Sequence, residues 1–131
     1  MKRAEDFWNL TIEAICLRRL VDTCHARAAN FRIDPKTRKP IKRNFGERIA
    51  LIHSELSEAL EGHRKDLMDD KLPHRKMIDC EIADAIIRLC DLAGDAECTD
   101  VPGALAEKLE YNRTRADHKL ENRAKKNGKK Y

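Results

Sequence analysis

The chain has 131 residues, a formal net charge of +4, 38% charged side chains and only 5% aromatic ones. That length suits one domain, 1–131, whose core must be aliphatic. No apolar run reaches the roughly 20 residues that cross a bilayer, and the opening Met1 to Asp6 is too charged for a secretory signal.

Five cysteines, at 16, 24, 80, 90 and 98, include no Cys-x-x-Cys pair. Neither a disulfide framework nor a thiolate zinc site is indicated, and a cytoplasmic location with no membrane partner is expected. Alanine, leucine, isoleucine, glutamate, lysine and arginine favour helix, and no alternating apolar runs suggest strands. The expected fold is all-α, a bundle of about four helices. Charge is uneven: residues 1–44 carry 11 basic and 5 acidic side chains, 45–100 carry 7 and 14, and 101–131 carry 9 and 4. An acidic centre between basic ends suits a metal site that receives a polyanion.

The first predicted helix runs from Ala4 to about Ala29. Phe7, Trp8, Leu10, Ile12, Ile15, Leu17, Leu20 and Val21 give it a wide apolar face, which calls for several packing partners or a subunit contact. Phe7 and Trp8 read as core residues or as a stacking surface for a nucleobase. Residues 30–44 form a basic connection with Pro35, Pro40 and six cationic side chains, among them Arg32 and Arg43. A loop of that length suggests a binding segment or a solvated charged loop.

The second helix is predicted from Phe45 or Gly46 to about Asp66, with a core stripe at Ile49, Ile52, Leu56 and Leu60. A turn over Leu67–Pro73 follows. Pro73 is placed in the first turn of the third helix, which ends at Gly94 in a left-handed cap. A link from Asp95 to Pro102 leads to the last helix, about Gly103 to His118, and residues 119–131 read as a frayed basic tail.

Two carboxylate pairs stand out: Glu55-Leu56-Ser57-Glu58 and Glu81-Ile82-Ala83-Asp84. Residues three apart on a helix share a face. Face to face, the pairs would bring four carboxylates together, and these cannot all stay ionised without a cation. A hard divalent ion such as Mg2+ suits oxygen ligands, so Glu55, Glu58, Glu81 and Asp84 are the candidate metal ligands. The third helix is apolar over much of its circumference, which makes its acids unusual. Asp91, seven residues after Asp84, suggests a supporting position behind the ligands. Glu61, His53, His63 and His74 read as surface or packed groups. The absence of Glu-x-x-His argues against a ferritin-like di-iron centre. In the last helix, Lys108, Asn112 and Arg115 recur at helical spacing, and their donors suit phosphate oxygens.

In order, these motifs resemble the all-α nucleoside triphosphate pyrophosphohydrolases of the MazG type. The resemblance covers residues 45–118, including the apolar framing in Ile-Ala-Leu-Ile-His-Ser-Glu-Leu-Ser-Glu-Ala-Leu-Glu; residues 1–44 add no diagnostic motif. It implies hydrolysis of a nucleoside triphosphate to the monophosphate and pyrophosphate with Mg2+ or Mn2+. It also implies a homo-oligomer, either a dimer or a tetramer built from dimers. The apolar breadth of the first helix favours the homotetramer. The base would be held by first-helix residues such as Trp8, Ile12 and Ile15.

Glu55 is the candidate catalytic base for the attacking water. Lys108 and Arg115 would stabilise the leaving pyrophosphate, with Asn112 positioning it. No spacing names the base; a purine nucleotide or a broad range is the expectation. An all-α dUTPase or dCTPase type of pyrimidine nucleotide hydrolase is the chemical alternative. A non-enzymatic, nucleic-acid-binding helical protein is the alternative of another class; nucleic acid is not the expected partner.

Overall fold

The computed structural model describes Phe7, Trp8 and residues 10–131. Among the described residues there are five α-helices and no strand. They are α1 (Ile12–Arg27), α2 (Phe45–Arg64), α3 (Met77–Ala93), α4 (Val101–Thr114) and the short α5 (Leu120–Arg123). The 3-10 turns Ala29–Arg32 and Ala116–His118 follow α1 and α4. The chain divides into two compact units, residues 20–99 and residues 1–19 with 100–131.

Side-chain caps set several helix starts. The Thr11 hydroxyl accepts a hydrogen bond from Ala14 N at 3.3 Å, which sets the start of α1 at Ile12; Phe7 and Trp8 are helical too, so the helix predicted from Ala4 is interrupted at Leu10 and Thr11, and residues 4–6 lie outside the described set. Asn44 Oδ1 accepts from Glu47 N at 3.0 Å, so α2 begins at Phe45 as expected. Asp100 Oδ1 accepts from Gly103 N at 3.1 Å, and Pro102 occupies the first turn of α4.

Pro73 does not open α3, which starts at Met77. Asp69 organises the preceding loop instead. Its buried carboxylate accepts from the backbone of Lys71 at 3.0 Å and Leu72 at 2.5 Å, while Asp69 N donates to Arg75 O at 3.0 Å. These bonds keep residues 69–75 out of helix. Gly94 is not left-handed either: its φ is −82° and its ψ is −7°. It is small for a packing reason, because a Cβ there would lie 2.5 Å from His25 Cγ.

Unit 20–99 centres on an antiparallel pairing of α2 and α3. Gly62 near the end of α2 meets Met77 at the start of α3, Glu55 meets Arg88, and Arg48 meets Asp91 and Asp95. The seam buries Ile52, Glu55, Ala59 and Gly62 against Glu81, Ala85 and Leu92. A Cβ on Gly62 would come within 2.9 Å of Met77 Cβ, so the helices approach closely there. The predicted stripe is thus shifted by a residue. Leu56 and Leu60 are exposed, because small residues rather than leucines let the two backbones come together.

The basic connection is also structured. Ile33 pairs with Pro40, Ile41 N donates to Arg32 O at 3.0 Å, and Asp34 Oδ1 accepts from Lys36 N and Thr37 N at 2.8 and 2.7 Å. In the other unit, residues 119–131 are not a featureless tail. They contain α5, and the Arg123 guanidinium donates to the carbonyls of Lys129 at 3.1 Å and Lys130 at 2.6 Å.

Candidate metal centre

Heptad-like spacing along the α2–α3 seam places acids where a helix pair normally puts apolar side chains. Glu55 occupies the position between Ile52 and Ala59 on α2, and Glu81 lies one turn before Ala85 on α3. Glu55 is 7% exposed and Glu81 8%. One carboxylate oxygen each from Glu55, Glu81 and Asp84 lies within 4.8 Å of the others. Asp84 is on the exposed side of this trio and Glu58 is also exposed. The trio forms without Glu58, whose charge nonetheless acts on Glu81.

The electrostatics of the trio are those of crowded anions. Burial pushes the Glu81 carboxyl up to about 7, and a hydrogen bond with Glu55 and the charges of Glu58, Glu55 and Asp84 add to the effect. Arg88 offers partial relief: its Nε donates to Glu55 Oε1 at 2.5 Å. Three carboxylate oxygens, two from buried residues, could together hold a hard cation.

The raised value has a signed consequence. Glu81 in the unfolded chain releases its proton near 4.5, whereas in the fold it holds it to about 7. The contribution of this group to stability is therefore complete below about 4.5 and is lost as pH rises through about 7. A cation that replaces the proton reverses the loss. Thermal melts in EDTA and in excess Mg2+ are expected to differ more at pH 8 than at pH 5.5. Equal metal-induced shifts at both pH values would contradict this linkage.

Arg88 was not singled out by sequence reasoning. The signal was present, since Arg88 stands four residues after Asp84 and seven after Glu81 in an otherwise apolar helix. Asp91, by contrast, does not support the trio. It is buried beneath the basic connection, where it accepts from Arg43 Nη1 at 2.7 Å, Arg32 Nη1 at 3.3 Å and Arg48 Nη2 at 3.4 Å, with His25 Nδ1 at 3.1 Å. Arg48 also pairs with Asp95. Burial pushes the Asp91 carboxyl up, but the Arg43 hydrogen bond and the charges of Arg43, Arg48 and His25 outweigh it and hold the group below the usual carboxylate range. Arg32 and Arg43 are thus anchored, not solvated.

Between this anchored segment and the helix pair lies a cavity of about 470 Å³. Phe31, Ile41, Leu51 and Ile87 supply its apolar wall. Arg43 and Arg48 line it as well, and Asp84 and Arg88 connect it to the acidic trio.

The remaining candidate residues belong to the other unit. Lys108 and Asn112 are on α4, but Arg115 lies just past its end in extended backbone, so the three do not share a helix face as predicted. Tyr111 gathers the two cations instead, with Lys108 Nζ 4.9 Å and the Arg115 guanidinium 5.6 Å from its ring centre. Arg115 also pairs with Asp117 at 2.9 and 2.7 Å, and Asn112 Oδ1 is buried without a hydrogen-bond partner. Trp8 is half-buried and meets Phe7 edge to face, with ring centres 5.2 Å apart. Ile12 and Ile15 are exposed.

Among the described residues, no helix is long and apolar enough to cross a membrane. In comparison with known proteins, the chain matches no family model, no curated protein and no solved structure.

Proposed function

We propose that the chain is a divalent-metal-dependent nucleoside triphosphate pyrophosphohydrolase of the all-α MazG type, converting a nucleoside triphosphate to its monophosphate and pyrophosphate. One observation carries this reading: the convergence of Glu55, Glu81 and Asp84 within 4.8 Å in a helix seam. A fold that accepts two buried, mutually repelling carboxylates loses stability unless a ligand compensates. The i, i+3 spacing of the acids on two facing helices is the pattern that the resemblance attaches to nucleotide hydrolysis.

Glu55, Glu81 and Asp84 would hold Mg2+ or Mn2+, with Glu58 one turn from Glu55 at the exposed edge. When bound, such an ion offsets triphosphate charge and lowers the pKa of water toward neutrality. Glu55 accepts the proton of the attacking water and orients it. Arg88, half exposed and paired with Glu55, would meet phosphate charge once Glu55 is engaged elsewhere. The donors of Lys108 and Asn112 on α4, and of Arg115 just past its end, suit phosphate oxygens.

The same proposal includes self-association in a cytoplasmic setting. Leu51, Leu56, Leu60, Ile82, Ile86 and Leu89 on α2 and α3 are 44–60% exposed. So extensive an apolar surface suits burial against a second copy of the chain. A monomer mass by light scattering at micromolar concentration would remove this part of the proposal.

Activity is tested by pyrophosphate release from the canonical ribo- and deoxynucleoside triphosphates with Mg2+, Mn2+ or EDTA. Release that requires metal and yields the monophosphate is expected. No release from any of them contradicts the canonical-substrate reading.

A further inference from the structure

The cavity beside the acidic trio combines three properties that one ligand class satisfies. It is walled by apolar side chains, it is lined by guanidinium groups, and it opens onto Asp84. Its volume of about 470 Å³ falls within the range of small-molecule sites. Phe31 is 74% exposed at this wall, which leaves much of its aromatic ring in water.

We infer that this cavity is the nucleobase pocket, that Phe31 is its stacking residue, and that its arginines select keto bases over amino bases. The pocket presupposes the nucleotide substrate proposed above. It differs from the first-helix site at Trp8, Ile12 and Ile15, since here every lining residue belongs to the same compact unit as the acidic trio.

The occupant follows from the chemistry of the walls. A flat aromatic face stacks on a base whatever its sequence identity, and the apolar residues opposite exclude water from it. The polar groups that remain are the donors Arg43, Arg48 and Arg88 and the carboxylates of Asp84, which belongs to the acidic trio, and Asp91. Arg43 and Arg48 carry only N–H groups, and the Asp91 oxygens between them already accept from Arg32, Arg43 and Arg48. Guanine, uracil and thymine present a carbonyl oxygen where adenine and cytosine present an amino group. Beside Arg43 and Arg48 the wall offers donors to the first set, and because the Asp91 oxygens there are already engaged, the amino group of the second finds no free acceptor. Asp91 is the positioning residue, because it holds both guanidiniums against the cavity wall.

The test measures equilibrium binding to the full chain in Mg2+ of the α,β-imido analogues of dGTP, dUTP, dATP and dCTP, and of inorganic tripolyphosphate, which lacks a base. The dGTP and dUTP analogues are expected to bind at least about fivefold tighter than the other two. Phe31→Ala is expected to weaken all four nucleotides roughly tenfold and to leave tripolyphosphate unchanged, while Phe31→Tyr restores the affinity. The pocket is overturned if Phe31→Ala leaves nucleotide affinity intact, if it weakens tripolyphosphate equally, if amino bases bind as tightly as keto bases, or if no nucleotide binds. The two readings separate cleanly. Base-dependent binding lost in Phe31→Ala, in a chain that releases no pyrophosphate, keeps the pocket and removes the hydrolase. Pyrophosphate release insensitive to Phe31→Ala removes the pocket and keeps the hydrolase.

Discussion

Glu55→Gln is expected to lower metal-dependent pyrophosphate release by about two to four orders of magnitude, the usual contribution of a positioned general base. Glutamine keeps the shape of the side chain and loses both its charge and its ability to take a proton. The fold is expected to survive. Arg88, the cation that Glu55 pairs with, is 44% exposed and can be hydrated when the partner is neutral. Glu81 also loses one of the neighbours that raise its pKa. The variant should therefore melt no lower than wild type in EDTA while its activity collapses. An equal loss of melting temperature and activity would mean that Glu55 is structural. Retained activity would move the base elsewhere.

Asp91→Ala is expected to destabilise unit 20–99 by about 3–5 kcal/mol, the cost typical of removing one partner from a buried ion pair. The side chains of Arg43 and Arg48 are only 17% and 11% exposed, so both guanidiniums would depend on Asp95 alone with little help from solvent. Native domains have about 5–15 kcal/mol in all, so much of that reserve would go. The loss is read from urea unfolding, with faster tryptic cleavage within residues 36–39 as a local readout. Because the Asp91 carboxyl is held below its ordinary 3.8, its contribution is full above that value and is lost as pH falls through its lowered value. A change under about 1 kcal/mol would mean that the network is solvated and dispensable.

The helical class was legible because composition and spacing are local properties. Asn44 before Phe45 marks its helix in any context, whereas Pro102, assigned to the link in sequence, lies in the first turn of α4. The acidic pairs were legible for the same reason, since i, i+3 spacing on an apolar background survives without knowledge of the partner helix. What could not be read depends on long-range contact. Gly94 looks like a cap in sequence, yet His25 is what requires a glycine there. Leu56 looks like core, yet Gly62 and Ala59 carry the seam because close helix approach selects small residues. The basic segment looks like a solvated loop, and only the fold brings Arg32 and Arg43 to Asp91, 59 and 48 residues away in sequence. Phe31 and the cavity were invisible for the same reason.

Glu55, Glu81 and Asp84 are proposed to share one divalent ion. Mn2+ titration followed by electron paramagnetic resonance, on wild type and on Glu81→Gln at pH 8, tests it most directly. Saturable quenching of the free Mn2+ signal by wild type, weakened at least about tenfold in Glu81→Gln and competed by Mg2+, is the predicted result. Identical Mn2+ binding by the two proteins, or none by wild type with or without a nucleoside triphosphate, would contradict it.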